Sequence, residues 1–289
     1  MLVRWLGELG MAREALGWLD GLKAELRDSP EVRTAHAALA AAARDWKRLQ
    51  ALVQDGAWGA VPADAVTLAF AAHVQREGVG VAHARATWDD ALSLARTQPA
   101  QQALLRLAET WIWPEATKAA LWLTARSFPT DTSAWRALLA GAETEGDSAE
   151  AWEVARAWAA ERPADADAQA RAQWLAVLLN KPDNGLNDAA RAALGSPLAA
   201  PESRAAAALL RLRAGQAAAA LVELRQREAG LAAAPRAALV YGRLLAGPAR
   251  AAESERWLAL AAAAKLLPEE RALLEQARAL NTASRPATP

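Results

Sequence analysis

The side chains that most often do chemistry are few here. His36, His73 and His83 are the only histidines, and there is no cysteine. Without Cys the chain forms no disulfide, offers no thiolate and builds no Cys-ligated zinc site. His73 and His83 fall on adjacent expected helices and can meet. Two imidazoles without a carboxylate at ligand spacing do not make a metal centre, so surface or packing histidines are expected. Gly78-Val79-Gly80 lacks the third glycine and the strand-to-helix setting of a dinucleotide loop, and there is no Walker loop or nucleophile elbow. Asp89-Asp90 reads as a helix-solvating acidic pair. Asp183, Asn184, Gly185, Asn187 and Asp188 are similar to the start of a calcium loop, but no bidentate Glu follows at the required spacing, and a long turn is the better reading. The chain therefore reads as non-enzymatic, with no catalytic residue, metal ligand set or cofactor motif.

Tryptophan is the other unusual resource, with 13 copies against 2 Phe and 1 Tyr. On a continuous helix Trp111 and Trp113, flanking Ile112, point different ways. Trp135, Trp152 and Trp158 fall at core phases. Trp58 sits in a Gly-flanked loop where it can be exposed. Abundant exposed Trp would suit carbohydrate stacking, which is kept as a lesser alternative function.

The elements that must carry these residues are helices. Alanine dominates, followed by Leu, Arg and Glu, all strong helix formers, while strand-favouring residues are scarce. Lys plus Arg number 33 and Asp plus Glu number 33, giving zero formal charge. Such a chain has no long-range field to gather nucleic acid or an anionic membrane, and neither is an expected partner. No 18-residue apolar run and no signal-peptide pattern is present, so no membrane span is expected and the compartment is not legible. Richness in Ala, Arg and Trp with few Lys suggests a high-GC bacterial gene.

Two punctuation marks recur. Pro30, Pro62, Pro99, Pro129, Pro163, Pro201, Pro235 and Pro268 define seven intervals averaging 34 residues. Gly10, Gly78, Gly146, Asn180 and Gly215 are separated by 68, 68, 34 and 35 residues, and Gly and Asn tolerate the left-handed turn that ends a helix. Two marks per period imply two helices per unit. Ala15, Ala151 and Ala220 each lie five residues beyond a turn glycine and allow close helix approach. Asp147 with Glu150 reads as a capping box, and Pro201, Pro235 and Pro268 suit first helical turns.

With Trp135, Leu138, Gly146, Ala151 and Pro163 in their observed spacing, the segment 132–166 resembles a tetratricopeptide repeat. The resemblance extends over most of the chain, with units starting near 30, 64, 98, 132, 166, 201 and 235. The unit near 166 departs from it through Lys181-Pro182-Asp183-Asn184-Gly185, which lengthens the turn and shortens the second helix. The implied fold is all-α: a right-handed α-solenoid of stacked hairpins over 1–280, about seven and a half repeats with a capping helix at 268–280. One hairpin cannot bury its apolar face alone, so neighbours complete the core. Glu269, Glu270, Arg271, Glu275 and Arg278 are expected on the solvated face of that cap, and 281–289 is expected to be disordered. Gly10 places the first unit's start before Met1, which suggests a piece of a longer protein; a short capping first helix is the other reading.

What the resemblance implies about function is a concave groove, lined by the first helices, that takes a peptide or partner protein. The repeat phase puts Gln75, Arg76, Gln102, Arg106, Glu109, Arg136, Glu143, Arg171, Trp174 and Arg243 on that groove. Arg with Trp is a common hot-spot composition. No Lys/Asn pair recurs to clamp a terminal carboxylate, but Arg106 and Arg136 can hold an acidic side chain. The expected function is an interaction scaffold with a protein or peptide partner. The alternative is a helical accessory or sensor domain of a larger enzyme or regulator.

Overall fold

The computed structural model describes residues 11–27, 29–54, 61–78, 80–193, 196 and 198–283. Gly10, Trp58 and residues 284–289 lie outside them. Every regular element among the described residues is helical. After α1 (Ala12–Asp20) come α2 (Pro30–Ala42) and α3 (Trp46–Gln54), α4 (Ala63–Gly78) and α5 (Val81–Leu94), and α6 (Gln98–Thr110) and α7 (Pro114–Ser127). Then follow α8 (Ser133–Glu145) and α9 (Ser148–Glu161), α10 (Ala166–Leu178) and α11 (Asn184–Ala193), α12 (Pro201–Arg213) and α13 (Ala217–Arg225), α14 (Pro235–Leu245) and α15 (Ala251–Ala262), and α16 (Pro268–Thr282). No described helix is long and apolar enough to cross a membrane. The expected tail is shorter than 281–289 at its start, because α16 continues through Thr282.

Local chemistry sets the boundaries. Pro occupies the first turn of α2, α6, α7, α12, α14 and α16, where its missing N–H costs nothing. Ser29, Thr97, Asp147 and Asp165 accept a backbone N–H as N-caps of α2, α6, α9 and α10. The helix ends are more regular than the glycines suggest. Arg44, Ile112, Gly146, Asn180 and Gly215 all have positive φ, at one phase of the 34-residue period. After each, the next residue donates its N–H to the carbonyl five positions back: Asp45 to Ala40, Trp113 to Ala108, Asp147 to Ala142, Lys181 to Ala176 and Gln216 to Arg211. This is the Schellman closure of a helix C-terminus. Gly78 does not make this turn. It is the last residue of α4, and the positive φ falls at Gly80.

The left-handed residue at 112 also overturns the reading of the two flanking indoles. α6 stops at Thr110, and Ile112 reverses the chain so that Trp111 and Trp113 are both buried. Both rings pack on Trp88, with centroids 6.3 and 5.6 Å away.

The chain divides into two compact units, Met1–Ala134 and Trp135–Pro289. The core of the first unit contains Leu16, Leu19, Leu49, Phe70, Trp88, Leu104 and Trp111. Its first helices α2, α4 and α6 pack in succession. In the second unit α10 is surrounded, and every residue from Ala170 to Leu178 is buried. It packs against α9, α11 and α12, and α12 packs on α14, which packs on α16. Ala15, Ala151 and Ala220 are fully buried, where a larger side chain would hold the helices apart.

Candidate protein-interaction surface

Eight of the ten residues placed on the groove fall into three environments. On α6, Gln102, Arg106 and Glu109 are exposed. They stand at i, i+4 and i+7, one stripe along the helix. The opposite face of α6 is core, with Ala100, Ala103, Leu104, Leu107 and Ala108 buried. None of the three is engaged in an ion pair or side-chain hydrogen bond among the described residues.

Gln75 and Arg76 on α4 are half-buried and engaged within the first unit. The Gln75 Oε1 accepts the Thr87 hydroxyl at 2.7 Å, and the Arg76 guanidinium lies 5.3 Å from the Trp113 ring centroid, in cation–π range. His73, one turn earlier, stacks flat on Trp111 at 4.5 Å, while His83 is exposed. No group of three or more His, Asp or Glu among the described residues could hold a metal.

In the second unit the expectation of an open groove fails. Trp174 is 0% exposed and Arg171 only 5%. The indole Nε1 donates to Glu270 Oε1 at 2.7 Å. Arg171 pairs with Glu143 and lies 3.8 Å from Glu202. Arg236 completes the cluster, reaching Glu270 at 2.8 Å, Glu143 at 3.0 Å and Glu202 at 3.1 Å. The cluster draws on α8, α10, α12, α14 and α16. Its closing piece is α16, whose start also meets the α8–α9 turn: Glu269 accepts the Ser148 hydroxyl, and Lys265 reaches Thr144 at 2.9 Å. The inner face on which a ligand was expected is therefore covered by the chain itself. Glu270 is corrected too. It is fully buried instead of lying on the solvated face of the cap.

The electrostatics of the cluster follow its composition. Burial alone lowers the Arg236 pKa, but Glu270, Glu202 and Glu143 together raise it above the usual guanidinium value. At Arg171, burial and then the Arg236 charge lower the pKa, against the pull of Glu202, Glu143 and Glu270. Both groups remain cations at neutral pH.

Glu202, Arg236 and Glu270 were missed as a group by sequence reasoning. The available signal was their spacing of 34 residues, acid, base, acid at one repeat phase. The remaining two groove candidates differ. Arg136 is exposed and pairs with Asp167 at 3.1 Å. Arg243 is half-buried on α14, and burial lowers its pKa.

The tryptophans are mostly core: Trp88, Trp111, Trp113, Trp135, Trp158, Trp174 and Trp257 are buried. Trp18 and Trp46 are the exposed ones among the described residues. No protein-family model matches this chain, and no curated protein matches it in sequence.

Proposed function

We propose that this chain is an interaction scaffold of stacked helical hairpins, tetratricopeptide-like in period, that binds a partner protein through the exposed stripe of α6. The observation that carries the reading is the stripe itself. Gln102, Arg106 and Glu109 are unpaired among the described residues, on one face of a helix whose other face is core. Arg offers a planar donor fork for a carboxylate, and the amide and Glu on either side add orientation. The second unit's inner face is not part of this site, because α16 occupies it.

The experiment is a comparison of the parent chain and Arg106→Glu as immobilised baits in source lysate, followed by titration of the enriched partner in purified form. Charge reversal is expected to weaken its binding by at least about tenfold, equivalent to about 1.4 kcal/mol. A partner that binds both forms equally removes α6 from the site, and enrichment of nothing on the parent counts against a scaffold.

A further inference from the structure

A second polar site lies in the first unit, away from α6. An open depression of about 410 Å³ is lined by Arg13 and Leu16 of α1, by Ala43, Arg44 and Asp45 of the α2–α3 turn, and by Arg48 of α3. Three arginines and one aspartate thus share the lining. Asp45 Oδ1 accepts the backbone N–H of Arg48 at 3.1 Å as the cap of α3. Arg48 itself is held by Asp20. Arg13 and Arg44 have no acidic partner among the described residues. Two unpaired cations therefore converge with a third from separate elements. Leu16, only 3% exposed, supplies an apolar lining beside them.

We infer that this depression binds a phosphate monoester dianion. A carboxylate is satisfied by one bidentate arginine. Several arginines arriving from different directions suit a tetrahedral group with three acceptor oxygens and a double charge. The depression is open, so the phosphate enters on a protein segment or a small molecule alike. The chain is neutral overall, which makes the attraction local and strongly weakened by salt.

The test uses the full chain and isothermal titration at pH 7.5 with two probes, inorganic phosphate and a short phosphoserine peptide, against chloride at matched ionic strength. Arg44→Gly removes a guanidinium at a position whose φ of 57° glycine accepts more readily, so this variant keeps its turn. Arg13→Gln changes an exposed helical position, and Arg85→Gln, at an exposed position of α5, is the control elsewhere in the unit. Saturable binding is expected, weakened at least tenfold in Arg44→Gly and in Arg13→Gln and unchanged in Arg85→Gln. Binding of the phosphoserine peptide should weaken several-fold at pH 5.5, below its second phosphate pKa of about 6. Tighter binding of the peptide identifies a phosphorylated protein segment as the source. Equal binding of inorganic phosphate identifies a small phosphorylated molecule. No saturable binding of either probe, or binding undiminished in both arginine variants, overturns the inference. The α6 reading survives either result, because Arg106 takes no part in this site.

Discussion

Glu270→Ala tests the closure of the second unit directly. The Glu270 carboxylate accepts three hydrogen bonds in a fully buried position: from Trp174 Nε1 at 2.7 Å, from Arg236 Nε at 2.8 Å and from its own helix start, Leu267 N, at 2.9 Å. Truncation orphans the indole and the backbone N–H, each at about 1–2 kcal/mol for a buried neutral donor. Breaking one member of a buried ion cluster costs about 3–5 kcal/mol when the remaining charge is left alone. Here Arg236 keeps Glu143 and Glu202, and three carboxylates on two guanidinium groups become two on two. The lower end of that range therefore applies, and the expected loss is about 3 kcal/mol. Urea unfolding followed by circular dichroism measures the loss. Native-state hydrogen exchange localises it: amides of α10, α14 and α16 should lose protection by about two orders of magnitude, while those of α5 and α6 keep theirs. Glu270→Gln preserves shape and an acceptor for Trp174, and should cost less than half as much. A loss below about 1 kcal/mol, with exchange in α16 unchanged, would refute a buried cluster held by α16.

Ile112→Gly should stabilise the first unit by about 0.5–1 kcal/mol, because a left-handed L-residue costs about 1–2 kcal/mol and the flexibility of glycine returns only part of it. Ile112 is 70% exposed, so little packing is lost, and the midpoint of thermal unfolding reads the change. Gly242→Ala in α14 should destabilise the second unit by about 1–3 kcal/mol. Its new Cβ would lie 2.8 Å from a side-chain carbon of Leu258 and 3.2 Å from the Leu258 backbone nitrogen; denaturant midpoints check it. The His36 pKa is lowered by burial and by the Arg48 charge, against the opposing pull of Asp20. Its unfolded form takes up a proton more readily than its folded form. The stability it confers is therefore complete above the ordinary value of 6.5 and declines as pH falls through it. Unfolding of the first unit measured between about pH 7 and 5 should show this slope, and His36→Leu should flatten it.

Helix boundaries and repeat phase were legible from residue type because they are decided locally. The prolines, the Ser, Thr and Asp caps and the glycine turns act within four or five residues of where they sit. The buried alanines at 15, 151 and 220 were legible for the same reason, since each stands at a fixed distance from its turn. Even local reading missed Arg44 and Ile112 as turn residues. Neither type prefers the left-handed region, and the Schellman hydrogen bonds hold them there against that preference.

Whether an inner face is open or filled was not legible. Trp174 and Glu143 sit at the same repeat phase as Arg106 and Glu109 of the exposed stripe, 68 and 34 residues further on. Phase alone gives the two sets the same environment. The difference lies in the packing of the second unit, where the start of α16 meets the α8–α9 turn more than 120 residues earlier in the chain. The sequence by itself determined that these helices form and which of their faces point inward. Only the tertiary structure decided that α16 covers one inner face, turning a row of polar groove residues into a buried ion cluster. The physical reason is that caps and turns act over one helical turn, whereas the contacts that close α16 onto α8 and α9 join residues more than 120 positions apart.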